Sequence, residues 1–298
     1  MRCCIFCEKQ VYTPLYFKQK EYFLTMIELS FLRRFSLYIV IVSLVFGILN
    51  FFKIQYQFYL WEIFIDLKIM LLFATIVFLY KKKQIILSQN QMTIVSFDWR
   101  KNILLFFIPT LLYIVSILAG LALKEITINK LDNAATLILA SLFDIPAIYV
   151  FSITTILIEE MVFRGILFNS LHQVGSKMSA ALFSSLIWTV FASSEIPGVE
   201  EIDIGLIFIL VLYYASLGLF LSALMDRYKS IWPGYSVRMG IITLTPITLS
   251  SHLVESDSFF KASTAIFSAE GIVLSILMIV SAILLLRMKN VEHENVLP

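Results

Sequence analysis

Apolar runs long enough to cross a bilayer recur along this chain, and in lipid each must be a helix, because only a helix or a closed barrel satisfies its own backbone polar groups. A crossing takes about 20 apolar residues. On that criterion about eight transmembrane helices are expected, over roughly Phe35–Phe52, Trp61–Tyr80, Ile103–Leu123, Pro146–Leu171, Met178–Ala192, Ile204–Leu224, Ile231–Leu249 and Ile272–Leu286. Asp144-Ile145-Pro146 interrupts the apolar stretch after Thr136; the proline restricts its predecessor and opens the fourth helix. Composition agrees: 59% of residues are hydrophobic, 15% are charged and the mean hydropathy is +0.88, where soluble domains carry about 25% charged residues. The expected fold class is an all-α polytopic membrane protein.

The positive residues orient it. Arg33 and Arg34 precede the first span, Lys81, Lys82, Lys83, Arg100 and Lys101 lie between the second and third, Arg227 and Lys229 between the sixth and seventh, and Arg287 and Lys289 follow the eighth. All fall on one side if the number of crossings is even, which predicts a multi-pass protein of the cell membrane with both termini cytoplasmic. The loop from Ser193 to Asp203, with Glu195, Glu200, Glu201 and Asp203, reads as a solvated turn on the other side. Asp66 and Lys68 lie near the outer start of the second helix, where snorkelling is cheap. Trp61, Tyr80 and Trp232 fit an interfacial aromatic belt.

Several function classes find no support. Cys3, Cys4 and Cys7 lie in an arm on the reducing side with no second ligand pair, so neither a metal site nor a stable disulfide is expected. Met26 is an alternative start that would omit them. The first span lacks a small-residue cleavage site and reads as a retained anchor. A net charge of +2 gives no reason to expect a nucleic-acid partner, and no cofactor is suggested.

Inside the fourth helix stands Glu159-Glu160-Met161-Val162-Phe163-Arg164-Gly165. Ionisable residues at membrane depth are expensive and mark functional sites by default. Glu160 and Arg164 are four apart and share a face, whereas Glu159 is turned by about 100° and can point into the bundle on its own. Two readings stand open. A carboxylate in a low-dielectric, water-accessible pocket can serve as a general base for water; alternatively a Glu-Arg pair pins helices together without chemistry.

The same residues resemble the EExxxRG signature of the CAAX-protease and bacteriocin-processing (Abi) family, a group of glutamic intramembrane endopeptidases. Ala181-Leu182-Phe183-Ser184-Ser185-Leu186-Ile187-Trp188 looks like the helix carrying that family's FxxxH motif. Gly218-Leu219-Phe220-Leu221 through Ser230-Ile231-Trp232-Pro233 looks like the approach to its HxxxN or HxxxD motif. The resemblance, spanning about Ile156–Ile242, implies a CAAX-protease-like helical bundle in a bacterial plasma membrane. It implies that in active members the first Glu and a His activate water while a second His and an Asn hold the oxyanion, without metal. On that basis Glu159 would be the base, with Glu160 and Arg164 supporting it.

The remaining family positions are occupied by Ala192, Arg238 and Ile242 where the two His and the Asn belong. Phe191-x-x-x-Glu195 is an alternative second frame and still supplies no His. The three histidines, His172, His252 and His293, fall near the inner end of the motif helix, at the opposite membrane surface and in the tail. Arg238 begins about seven residues into the seventh helix, at a depth like that of the Glu pair, and a guanidinium does not exchange protons near neutrality. Glu159, Glu160, Arg164 and Arg238 are therefore expected to form a charge-balanced cluster. Arg238 could still serve as an oxyanion contact.

The chain divides into a cytoplasmic arm (1–34), N-terminal transmembrane helices (35–145), the CAAX-protease-like core (146–249), and a last helix with a cytoplasmic tail (250–298). The leading functional expectation is a non-proteolytic homologue, a pseudoenzyme acting by binding in cell-envelope regulation, scaffolding or bacteriocin self-immunity. The alternatives are an intramembrane endopeptidase cleaving a membrane-bound peptide and a component of lipoprotein N-acylation or related lipid modification. Expected partners are membrane lipids and another membrane or envelope protein, or a membrane-bound peptide.

Overall fold

The structure, a computed structural model, describes residues 33–48, 68, 70–74, 77, 97–124, 126–128, 153–193, 204–248, 260–262 and 271–288. These residues are helical apart from short turns and one small ribbon. Helix α1 covers residues 33–48. Helix α2 runs over Trp99–Ala122, and Asp98 caps it, accepting from the backbone amides of Arg100 and Lys101. The Lys101 ammonium lies 3.0 Å from the same carboxylate, and its hydrogen bond holds the Asp98 carboxyl below its ordinary range.

Helix α3 is one continuous run in three parts: α-helical over 153–160, π-helical over Met161–Phe168, and α-helical again over Asn169–Val174. Helices α4 (Lys177–Ser193), α5 (Ile204–Tyr228), α6 (Trp232–Thr248) and α7 (Ile272–Arg287) follow. Strands β1 (Ile126–Ile128) and β2 (Phe260–Ala262) pair antiparallel, with Thr127 opposite Lys261. That ribbon is an addition to the all-helical expectation; it ties the exit of α2 to the stretch before α7.

Two of the described helices, Trp99–Ala122 and Ile207–Tyr228, are long and apolar enough to cross a membrane, and Lys177–Ser193 and Ile272–Arg287 are shorter apolar helices. Leu104, Leu111 and Leu118, seven apart on α2, are 70%, 60% and 60% exposed. A run of large apolar residues left uncovered at that spacing forms one outward stripe of the helix, as a lipid-facing surface requires.

Helix α5 lies at the centre, packed against α4, α6 and α7, while α6 also packs along α2. Close approach is built in at two glycines. A Cβ on Gly218 of α5 would press on Trp188 and Ser185 of α4, and one on Gly240 of α6 would collide with the backbone carbonyl of Phe106 on α2. Ser236 then donates to Asn102 at 3.1 Å, which fixes the register of α6 on α2. Phe97, just before α2, and Trp232, at the start of α6, meet edge to face at 5.2 Å.

Some sequence features lie outside the described residues: the three cysteines, Asp66, Trp61, Tyr80, the Asp144–Pro146 break, the acidic residues from Glu195 to Asp203, His252 and His293. Lys68 is described, and it corrects the snorkelling expectation. Its side chain is buried, with 1% exposure, donating to the carbonyl oxygen of Phe191 at 2.8 Å with its ammonium 3.7 Å from the centre of the Phe191 ring. Phe191 belongs to the last turn of α4, where carbonyls lack helical partners and the helix dipole favours a cation.

Candidate functional site

The site begins with the backbone of α3. Met161–Phe168 adopts the wide π form, rare in helices and frequent at functional sites. The widened turns are held from outside the ladder: the Ser184 hydroxyl donates to the carbonyl of Phe163 at 2.9 Å, and the Asn169 amide donates to that of Gly165 at 2.8 Å. Ser184, buried in α4, thus locks that helix onto the charged stretch.

Glu159, Glu160 and Arg164 are all buried. Glu159 accepts a hydrogen bond from the indole nitrogen of Trp188 at 2.9 Å, and the same oxygen, Oε2, lies 2.9 Å from Nη1 of Arg238. That nitrogen also stands 3.5 Å from Oε1 of Glu160, so one guanidinium nitrogen bridges two carboxylates. Arg164 approaches Glu160 from one turn on, Nε to Oε2, at 3.7 Å. The pair is in place but longer than a hydrogen bond.

Trp188 is the hub. Its ring is buried, with the guanidinium carbon of Arg164 at 4.6 Å and that of Arg238 at 5.3 Å from its centre. A desolvated cation against an indole face is worth about 2 kcal/mol. Tyr214 of α5 closes the ring's edge at 5.9 Å. One side chain therefore holds Glu159 through its N–H and both arginines through its π system. The sequence placed Trp188 at the aromatic position of a family motif and assigned it no contact; the signal was an indole N–H in an apolar helix, a donor that needs an acceptor when buried.

Helix α6 contributes more than Arg238. A Cβ on Gly234 would stand 2.5 Å from Oε2 of Glu160. Gly234 lies in the first turn of α6, so the carboxylate sits beside the positive end of that helix, and glycine is what lets it approach. The sequence placed Pro233 at the approach to a family motif and assigned Gly234 no contact.

The structure thus brings Glu159, Glu160, Arg164 and Arg238 into one cluster with balanced formal charge, Arg238 keeping 13% side-chain exposure. Ala192 is buried and offers only a methyl group where the resemblance expects a His; Ile242 is half-buried and equally without a polar atom. His172 is directed elsewhere: it stacks on Phe168 at 5.9 Å and its Nε2 lies 3.9 Å from Asp226. Asp226 is itself held by Lys177 at 3.1 Å and Lys229 at 2.6 Å, a knot joining the start of α4 to the end of α5. Among the described residues no group of three His, Cys, Asp or Glu side chains stands together as a metal site.

Geometrically, the cluster can hold two carboxylates in fixed positions. No imidazole approaches them among the described residues, and the cations beside them do not trade protons near neutrality.

Neither a curated protein nor a solved structure matches the chain. One family model does, described as Type II CAAX prenyl endopeptidase Rce1-like, and its match covers residues 134–243, which contain every member of the cluster. Residues 134–243 are therefore an Rce1-like domain of the CAAX prenyl endopeptidase family.

Proposed function

We propose that this chain is an integral membrane protein whose endopeptidase-type pocket binds rather than hydrolyses. The observation that carries the proposal is the bridging of Glu159 and Glu160 by Nη1 of Arg238, at 2.9 and 3.5 Å. A water-activating carboxylate needs a free lone pair toward its water and a partner that takes up or returns the proton. Here Oε2 of Glu159 is engaged by Trp188 and Arg238 together, and Ala192 stands where the resemblance expects the water-activating His, with Arg238 and Ile242 at the two oxyanion positions. The pocket in this reading is an interaction site for another membrane or envelope protein or a membrane-bound peptide. Its cellular role belongs to envelope regulation, scaffolding or bacteriocin self-immunity.

The proposal extends to topology. Eight crossings with both termini in the cytoplasm of a bacterial cell account for the positive residues at Arg33, Arg34, Arg100, Lys101, Arg227, Lys229 and Arg287, all on one side. The end of the bundle where Phe97 meets Trp232 is then the cytoplasmic end.

The second reading, an active endopeptidase, draws on the π-helical form of the motif stretch. The experiment that separates the two uses the full chain in liposomes with a prenylated CAAX peptide anchored in the same membrane, alongside Glu159→Gln and Arg238→Ala. The binding reading expects no product from any of the three and a fall in folded protein for both variants. Product from the parent chain that disappears in Glu159→Gln while Arg238→Ala retains it would establish the carboxylate as a base and end the binding reading.

A further inference from the structure

The cluster is balanced in charge but not in hydrogen bonds. Both carboxylate oxygens of Glu160 and all three guanidinium nitrogens of Arg164 are buried without a hydrogen-bond partner, and both residues have no exposed surface. Such groups are costly unless something satisfies them. The Nε–Oε2 separation of 3.7 Å leaves each near the other without a bond.

The occupant's chemistry follows from what is missing. Arg164 offers only donors and the carboxylate of Glu160 only acceptors. An anion would satisfy the arginine and repel Glu160; a cation would do the reverse. Either would also unbalance a cluster of two carboxylates and two guanidiniums. Full burial excludes a bulky group. A small, neutral molecule that donates and accepts at once meets all of these conditions, and with two or more polar partners a water is held well in such a place.

We infer that the Glu160–Arg164 pair is a buried hydration site, holding water that accepts from Arg164 and donates to Glu160. This goes beyond the binding reading of the pocket and does not depend on it. The two carboxylates then differ in role: Glu159 accepts from the Trp188 indole, while Glu160, whose Oε1 lies 3.5 Å from Nη1 of Arg238, takes its hydrogen bonds from water.

Radiolytic hydroxyl footprinting of the full chain in nanodiscs equilibrated in oxygen-18 water tests this. Trp188, whose ring lies 4.6 Å from the Arg164 guanidinium, reports on the site; Met225 and Met278, each 3% exposed, are dry controls of high intrinsic reactivity. The expected result is oxygen-18 oxidation of Trp188 at a dose that leaves both methionines unmodified. Protection of Trp188 equal to theirs would overturn the inference. In a Glu160→Met, Arg164→Met double variant the label on Trp188 should fall at least severalfold, and undiminished labelling would move the water elsewhere. Should that variant fail to fold, an experimental map sharp enough to show single waters decides: density within hydrogen-bond reach of both Arg164 and Glu160 supports the site, and a direct Arg164–Glu160 bond with no density contradicts it.

Discussion

Nη1 of Arg238 lies 2.9 Å from Oε2 of Glu159, the oxygen that also accepts from Trp188 at 2.9 Å. A residue from α6 and one from α4 thereby meet on one atom of α3. The carboxylate at the first position of the EExxxRG stretch is accordingly part of the framework holding three helices together. Truncating one member of such a buried pair leaves an uncompensated charge, costing about 3–5 kcal/mol, which makes the cluster a determinant of folding as well as of any binding.

Trp188 separates two contributions that substitution can isolate. Trp188→Phe keeps an aromatic face for Arg164 and Arg238 while removing the N–H that Glu159 accepts. It is expected to lower stability by about 1–3 kcal/mol, whereas Trp188→Leu removes the π contacts as well and costs more. Thermal unfolding of the detergent-solubilised chain, followed by resistance to protease, measures the order Trp, Phe, Leu.

Gly234→Ala places a methyl group against Oε2 of Glu160, 2.5 Å away before adjustment. Overpacking of this kind costs about 1–3 kcal/mol. In a Glu160→Ala background the obstructing carboxylate is gone, so adding Gly234→Ala should cost clearly less than it does in the parent. Equal penalties in the two backgrounds would place the strain elsewhere.

Asp98 gives a pH dependence with a defined sign. Lys101 holds its carboxyl below the ordinary range, so the capping contribution is complete above the unfolded value of about 3.9. It is lost as pH falls through the depressed folded value. Hydrogen exchange across the first turn of α2, corrected for the intrinsic pH effect, should rise there, and Asp98→Ala should remove the dependence.

The gathering of the four charges was legible because the membrane leaves few alternatives. Charges in apolar helices at matching depths must find one another, so spacing along α3 and α6 was enough to group Glu159, Glu160, Arg164 and Arg238. Trp188 was not legible as the hub, since an indole in an apolar helix looks like any lipophilic residue until its N–H is seen against Glu159. The π-helical stretch carries no periodicity of its own over eight residues; it depends on Ser184 and Asn169 reaching the carbonyls of Phe163 and Gly165. Lys68 was misread because snorkelling and burial leave the same trace in a sequence. What distinguishes them is the carbonyl of Phe191, 123 residues away along the chain. Gly218, Gly234 and Gly240 depend likewise on what stands opposite them.

A double-mutant cycle between Glu159→Gln and Arg238→Met tests the central claim most directly, with unfolding of the full chain in one membrane mimetic as the measurement. Contacting charges in a shared network should couple by about 1–3 kcal/mol. The double variant is then more stable than the sum of the single losses predicts. Additive losses, with coupling near zero, would mean that Arg238 does not hold Glu159 and that the carboxylate is free for other work.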